Sequence, residues 1–292
     1  MSFENPVPRV AAIHDLSGFG RSSLTIVLPV LSAMGVQVSP LPTALLSTQT
    51  SGFGDYFFMD LSNEMIKISD HWRKLDLSFD AIYSGFLGSS RQVEIVSDFI
   101  DDFSSKGQFT VVDPVMGDDG KTYGPYGADM VAAMKQLIKK ADIITPNFTE
   151  ACFLLDTDYR TDIKIPLLKD WMRKLSDMGP EKVVFTSVPV SDKSRSFVFA
   201  YDRSFDTFWK VSCSYIPAAY PGTGDIFTSV LTGALLQGDS LPIALDRAVQ
   251  FVSLAIRSTF GYNSPGREGV MFEKVLYSLM TPVTVSNYEI VE

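Results

Sequence analysis

DAIYSGFLGSSRQVEIVSDFIDDFSSKGQFTVVD (residues 80–113) reads as one complete strand, helix, strand unit. Asp80 to Ser84 and Phe109 to Asp113 are short β-prone apolar runs that end at a polar or small residue, and Arg91 to Ser104 between them has amphipathic helical spacing. The same rhythm continues outward. Arg9 to Ile13, Val36 to Pro40, Ala141 to Thr145 and Lys182 to Thr186 repeat the strand pattern. Ser22 to Met34, Glu64 to Leu75, Ala128 to Lys139 and Leu167 to Met178 repeat the helical one, the first with Pro29 inside it as a point where it can kink. Strands that alternate with helices in this way pair in parallel and bury both faces. The expected fold is therefore α/β, a doubly wound, mostly parallel sheet flanked by helices. Ligands of such sheets bind outside the carboxyl ends of the strands.

Two segments depart from the rhythm. Ser196 to Lys210 (SFVFAYDRSFDTFWK) predicts two strands around a polar turn at Asp202 to Ser204, an antiparallel hairpin on the sheet edge. Phe53 to Met59 (FGDYFFM) is aromatic and β-prone, and reads equally as a lid or dimer surface and as a core strand. Beyond Gly222 three helices are expected, Asp225 to Leu236, Ser240 to Arg257 and Gly269 to Leu279, the last set off by the turn FGYNSPGREG (260–269). With no linker, repeat or low-complexity stretch, residues 1–292 are expected to form a single domain.

With 46% hydrophobic and 20% charged residues among 292, the composition is that of a folded globule and excludes general disorder. A net charge of −9 leaves no basic footprint, so neither nucleic acid nor an anionic membrane is an expected partner. A phosphorylated ligand must then be held by backbone N–H groups, a few local cations or a metal. Cys152 and Cys213 form no C-x-x-C pair and have no neighbouring cation or His to activate them, so they read as small buried hydrophobes. The opening MSFENPVPRV lacks a signal-peptide layout and no apolar run reaches the ~20 residues that span a bilayer, which together predict a cytoplasmic setting. Two histidines, His14 and His71, are too few for Cys/His zinc clusters. His71 reads as surface, and His14 as a structural hydrogen-bond partner that could also reach the site.

Pro221-Gly222-Thr223-Gly224-Asp225 stands directly before an apolar helical stretch. Backbone N–H groups at such a helix start can cradle an anion, and the Asp can accept a proton from an attacking hydroxyl; the alternative is a capping Asp after a glycine turn. Asp113 and Asp118 follow the strand at 109–113, and Asn147 and Glu150 follow the strand at 141–145, so carboxylates converge on neighbouring strand ends. Such a rim suits a magnesium nucleotide; the alternatives are that Asp113 or Asn147 merely caps a turn and that Glu150 is a solvated first-turn residue favoured by a helix dipole. No G-x-x-x-x-G-K-[ST] occurs.

Taken in order, HDLSGFGRSS (14–23), STQTSGFGD (47–55), YSGFLGS (83–89), VVDPVMGDDG (111–120), ADIITPNFTEA (141–151), VVFTS (183–187) and PGTGDIF (221–227) resemble the pyridoxal kinase family of the ribokinase-like superfamily. The resemblance implies ATP-dependent phosphorylation of the 5′-hydroxymethyl group of a vitamin B6 vitamer, with ATP, Mg²⁺ and a monovalent cation such as K⁺, in a homodimer. It implies Asp225 as the base and Gly222, Thr223 and Gly224 as the anion hole. Asp113, Asp118 and Glu150 would surround the nucleotide phosphates, Asp113 and Glu150 on the metal side. Asn147, Thr186 and Ser187 would touch the phosphates. Asp15, Ser47 and Thr50 would contact the pyridine ring, and Phe86 stands where many relatives have Tyr. The first loop, with its D-x-S-G-x-G form, and PTALLSTQT (42–50) are also similar to hydroxymethylpyrimidine kinases of thiamine synthesis. Those kinases are the alternative, beside a non-catalytic vitamer-binding protein on the same fold. VSLAIRST (252–259) would floor an adenine pocket or simply pack in the core.

Overall fold

The computed structural model describes residues 6–123, 126–160, 162–189, 194–262, 264–281 and 286–292. Residues 1–5, read above for a targeting signal, and Asn263 of the predicted turn lie outside them. The chain runs through β1 (Arg9–Ser17), α1 (Leu24–Ala33), β2 (Gln37–Leu46), β3 (Phe58–Asp60), α2 (Ser62–Lys74), β4 (Ala81–Ser84), α3 (Ser90–Phe103) and β5 (Phe109–Val112). The short β6 (Gly117–Asp118) and β7 (Lys121–Thr122) follow, then α4 (Ala128–Leu137), β8 (Ile143–Ile144), α5 (Phe148–Leu154), α6 (Ile165–Asp177) and β9 (Lys182–Phe185). The last part comprises β10 (Arg195–Asp202), β11 (Thr207–Ser214), α7 (Thr223–Leu236), α8 (Leu241–Phe260) and β12 (Tyr288–Ile290).

Ten of these strands form one sheet in the order β12, β11, β10, β9, β8, β5, β4, β1, β2, β3. The pairs from β2 to β9 are parallel, as the alternation requires, while β3 and the β10, β11, β12 group join antiparallel at the two edges. Side chains alternate along β1: Ala11 and Ile13 join the apolar layer that α2, α3, α4 and α6 cover, and Val10 and Ala12 join the layer under α1, α7 and α8. The chain leaves β1 toward β2 on one side and reaches β4 on the other, so strand order reverses at β1. There the β1–β2 register shifts between His14 and Leu16. A bulge of this kind re-aims side chains beside a site.

Three expectations are corrected in detail. The hairpin of β10 and β11 is not the outermost pair, because β12 pairs with β11 outside it. Gly269 to Leu279 is not an α-helix: Phe272–Lys274 and Leu276–Met280 are successive 3-10 turns that bury Val270, Phe272, Val275 and Leu279 in one layer. FGDYFFM is no core strand, since Tyr56, Phe57, Phe58 and Met59 are all exposed. Among the described residues no helix is long and apolar enough to cross a membrane.

Candidate active site

Helix α7 begins where Gly222 takes a left-handed conformation (φ 81°) that no side chain could share, because a Cβ there would lie 2.3 Å from the Arg21 carbonyl oxygen. No side chain caps the helix, so its first-turn N–H groups stay open at the mouth of a cleft of ≈ 620 Å³. Asp225 is the third residue of that helix. Its Oδ2 accepts a hydrogen bond from the Ser23 N–H at 2.8 Å. Ser23 itself sits at φ 50°, a strained setting for a non-glycine residue that aims this N–H across the cleft. Burial pushes the Asp225 carboxyl up to about 7, with the Asp15 charge adding and the Ser23 N–H opposing. Among the described residues no group donates a hydrogen bond to Oδ1; the His14 Nδ1 lies 3.9 Å from it.

The cleft floor is made by the strand ends. Asp113, directly after β5, is buried and held well above the usual carboxylate range by burial and by the Asp225 charge, while the Thr145 and Thr228 hydroxyls work against the shift. Glu150, third residue of α5, forms a complete capping box: its Oε2 accepts from the Asn147 N–H at 2.8 Å and the Asn147 Oδ1 accepts from the Glu150 N–H at 2.9 Å. Its Oε1 accepts from the Met116 N–H at 3.1 Å. Burial and the nearby Asp113 charge hold Glu150 well above the usual range. The Asn147 amide also donates to the Gly117 carbonyl at 2.8 Å, which ties the β6 loop to α5. Asp118 stands exposed on that loop with its pKa raised by partial desolvation.

Asp15, at the shift in the β1–β2 register, is buried, accepts from the Ser17 hydroxyl at 2.8 Å, and is raised by burial while the Ser23 and Ser17 hydroxyls oppose. Thr50, Phe86, Thr186 and Ser187 line the same cleft with Asp15, Asp113, Asp118, Asn147, Glu150 and Gly222 to Asp225. Ser47 does not: it faces β3, where its hydroxyl accepts from the Phe57 N–H at 2.9 Å. Val249, Val252 and Ile256 of α8 and Cys213 of β11 form an apolar end of the cleft, as the segment 252–259 allowed. The lining holds five carboxylates, Asp15, Asp113, Asp118, Glu150 and Asp225, and among the described residues no Lys or Arg. No three His, Cys, Asp or Glu among the described residues converge enough to hold a metal unaided.

Gln49 was not singled out in the sequence. Buried, it donates to the Arg267 carbonyl at 2.8 Å and accepts from the Ser51 N–H at 2.7 Å, so it ties the loop after β2 to the turn after α8. Arg267 in turn stands over the Phe53 ring, 4.8 Å from its centroid. A lone Gln in STQT has no spacing that marks it; only the chain's return at residue 267 makes it a tie.

Comparison with known proteins decides the family. Residues 28–268 match the phosphomethylpyrimidine kinase family. The chain belongs to that family. A candidate phosphomethylpyrimidine kinase of Bacteroides thetaiotaomicron, solved in two crystal forms, is 53% identical over 100% of both chains with a TM-score of 0.96. Its second form, with pyridoxal, is 54% identical over 98% of this chain and 100% of that one, with a TM-score of 0.95. The pyridoxal kinase of Lactobacillus plantarum is 32% identical over 94% of this chain and 97% of its own, with a TM-score of 0.86. The chloroplastic thiamine biosynthetic bifunctional enzyme of Arabidopsis thaliana is 27% identical over 86% of this chain, which spans about half (47%) of that enzyme's length. The kinase thus stands among the ribokinase-like pyridoxal and hydroxymethylpyrimidine kinases, and it is a phosphotransferase that acts on an alcohol group.

Proposed function

We propose that residues 1–292 act as one catalytic domain that transfers the γ-phosphoryl group of ATP to the 5′-hydroxymethyl group of a vitamin B6 vitamer, pyridoxal, pyridoxine or pyridoxamine. The observation that carries the transfer is Asp225: a buried carboxylate with one oxygen fixed by Ser23 and the other open, at a helix start whose amides are uncapped. A pKa of about 7 lets this carboxylate take the hydroxyl proton near neutral pH. The amides of Gly222 to Asp225 receive the charge that develops on the transferring group. Support for the vitamer comes from the pyridoxal-containing crystal of the 54% identical relative. Asp15 would then hydrogen-bond a polar ring substituent while Phe86 packs on the ring.

An all-acidic cleft cannot hold a polyphosphate by side-chain charge, so a divalent cation fits the lining. Mg²⁺ needs one or two carboxylates when phosphate oxygens and waters complete its shell, and Asp113 and Glu150 are the buried pair that would hold it. When bound it would neutralise phosphoryl charge. Asn147, Thr186 and Ser187 would contact the phosphates from the neighbouring strand ends, and Val249, Val252 and Ile256 offer the apolar wall for a base. Two free cysteines support a reducing, cytoplasmic setting. A homodimer would cover the exposed aromatic segment at 56–59.

The test is ATP consumption on a panel of pyridoxal, pyridoxine, pyridoxamine and hydroxymethylpyrimidine. The account expects a B6 vitamer to give the highest kcat/KM. The match at 28–268 and the D-x-S-G-x-G loop favour hydroxymethylpyrimidine as the second reading. Its winning the panel would move the kinase to the thiamine branch, and turnover of none would leave a binding protein.

A further inference from the structure

His14 lies within β1, just before the shift in the β1–β2 register, and its side chain is fully buried. Among the described residues neither Nδ1 nor Nε2 has a hydrogen-bond partner. Its ring meets the Tyr83 ring edge-on with centroids 4.3 Å apart. It also lies against bare backbone, because a Cβ on Gly85 would come within 2.3 Å of Nδ1. Buried polar groups are nearly always paired, and an unpaired one is costly. An apolar ring would fill the same space without that cost. What the imidazole adds is its direction: Nδ1 lies 3.9 Å from Asp225 Oδ1, the oxygen that Ser23 leaves open. Burial pushes the imidazole down to about 3, so it stays neutral and carries a single N–H.

We propose that His14 is a positioning residue for phosphoryl transfer, donating its Nδ1–H to one lone pair of Asp225 Oδ1 when the substrate hydroxyl occupies the other. A movement of about 1 Å brings the two atoms to hydrogen-bond distance, and catalytic hydrogen bonds commonly tighten on substrate binding. With Ser23 on Oδ2 and His14 on Oδ1, the carboxylate plane is fixed from the start of α1 and from β1, and the remaining lone pair points at the hydroxyl. The inference rests on Asp225 as the base.

His14→Phe keeps the ring and its contact with Tyr83 and removes the donor; His14→Asn returns an N–H near the Nδ1 position. The Phe variant is expected to lose about 10- to 100-fold in kcat, the scale of a misplaced reacting group, with both KM values within about threefold of wild type. The Asn variant is expected to recover most of the loss. In an Asp225→Asn background, His14→Phe should cost nothing more, because the residue acts through Asp225. Unchanged kcat, a loss confined to KM, no recovery with Asn, or an undiminished loss in the double variant would each overturn the proposal. If the Phe variant does not fold, the Asn variant decides alone: a loss beyond about 100-fold contradicts the role. If Asp225→Asn alone turns over within a few-fold of wild type, the base reading itself has failed. If it is slow while His14→Phe matches wild type, only this inference has failed.

Discussion

Helices α5 and α7 each carry a carboxylate at their third residue, and the two groups end in opposite states. Glu150 is tied down: three hydrogen bonds join it to Asn147 and Met116, and each of its carboxylate oxygens accepts one of them, which leaves each a further lone pair. Asp225 is half open, with one oxygen on Ser23 and the other facing the cleft. The cap residue makes the difference. Asn147 caps α5 with its own side chain, whereas Gly222 has none to offer and leaves the α7 amides free for an anion. One helix start organises a loop and the other is poised for chemistry, although both carboxyls are raised by the same burial.

The same change, carboxylate to amide, should affect the two positions in opposite ways. Asp225→Asn removes the base and is expected to lower kcat by about 10²- to 10⁴-fold. It should also stabilise the fold above neutral pH. Because the folded Asp225 pKa is raised to about 7, the stability it contributes is full below the ordinary carboxylate pKa of about 4 and lost as pH rises through 7. An amide escapes that loss and still accepts from Ser23, so Tm at pH 8 should rise; a fall would contradict the burial argument. Asp15→Ala probes the neighbour whose charge adds to the Asp225 shift. Losing a hydrogen bond from a charged group costs roughly 1.5 to 3 kcal/mol, so vitamer KM should rise about tenfold or more while ATP KM stays put. Glu150→Gln is expected to have the smallest kinetic effect and the opposite thermal one. An amide presents a donor where an N–H already points, so a loss of about 1 to 3 kcal/mol should lower Tm by roughly 2 to 4 °C for each kcal/mol. Its activity should fall together with its Mg²⁺ response. Calorimetry showing vitamer affinity collapsing with the Mg²⁺ response unchanged would mean that the acidic rim is misassigned.

Helix α5 is not among the expected helices, although Asn147 and Glu150 stand out as polar groups at a strand end; the α7 start was visible because its signal is local, Gly-x-Gly-Asp before an apolar run. The parallel core was visible for the same reason, since DAIYS, FTVVD, ADIIT and KVVFT need no partner to be recognised as strands. What the sequence hid depends on distant chain. Tyr288–Ile290 is three residues long and its pairing is set by β11, so it carries no periodic signal. The apolar positions at 270, 272, 275 and 279 fit a helix in spacing, yet short 3-10 turns bury them equally well. Ser47 is placed at the pyridine ring by resemblance alone, and beside β3 its hydroxyl accepts from the Phe57 N–H instead. His14 read as a structural hydrogen-bond partner, and among the described residues it has none.

The most direct test of the Asp225 assignment is the pH dependence of kcat/KM for the vitamer, measured for wild type and Asp225→Asn at saturating Mg²⁺ and nucleotide. Asp15, Asp113, Tyr83 and His14 surround Asp225, so the variant is the control that assigns the ionisation. The account predicts an acidic limb in wild type that rises through about pH 7 as Asp225 loses its proton, and its disappearance from the residual activity of the variant. The same limb in both proteins, or a flat wild-type profile from pH 5.5 to 8, would contradict it.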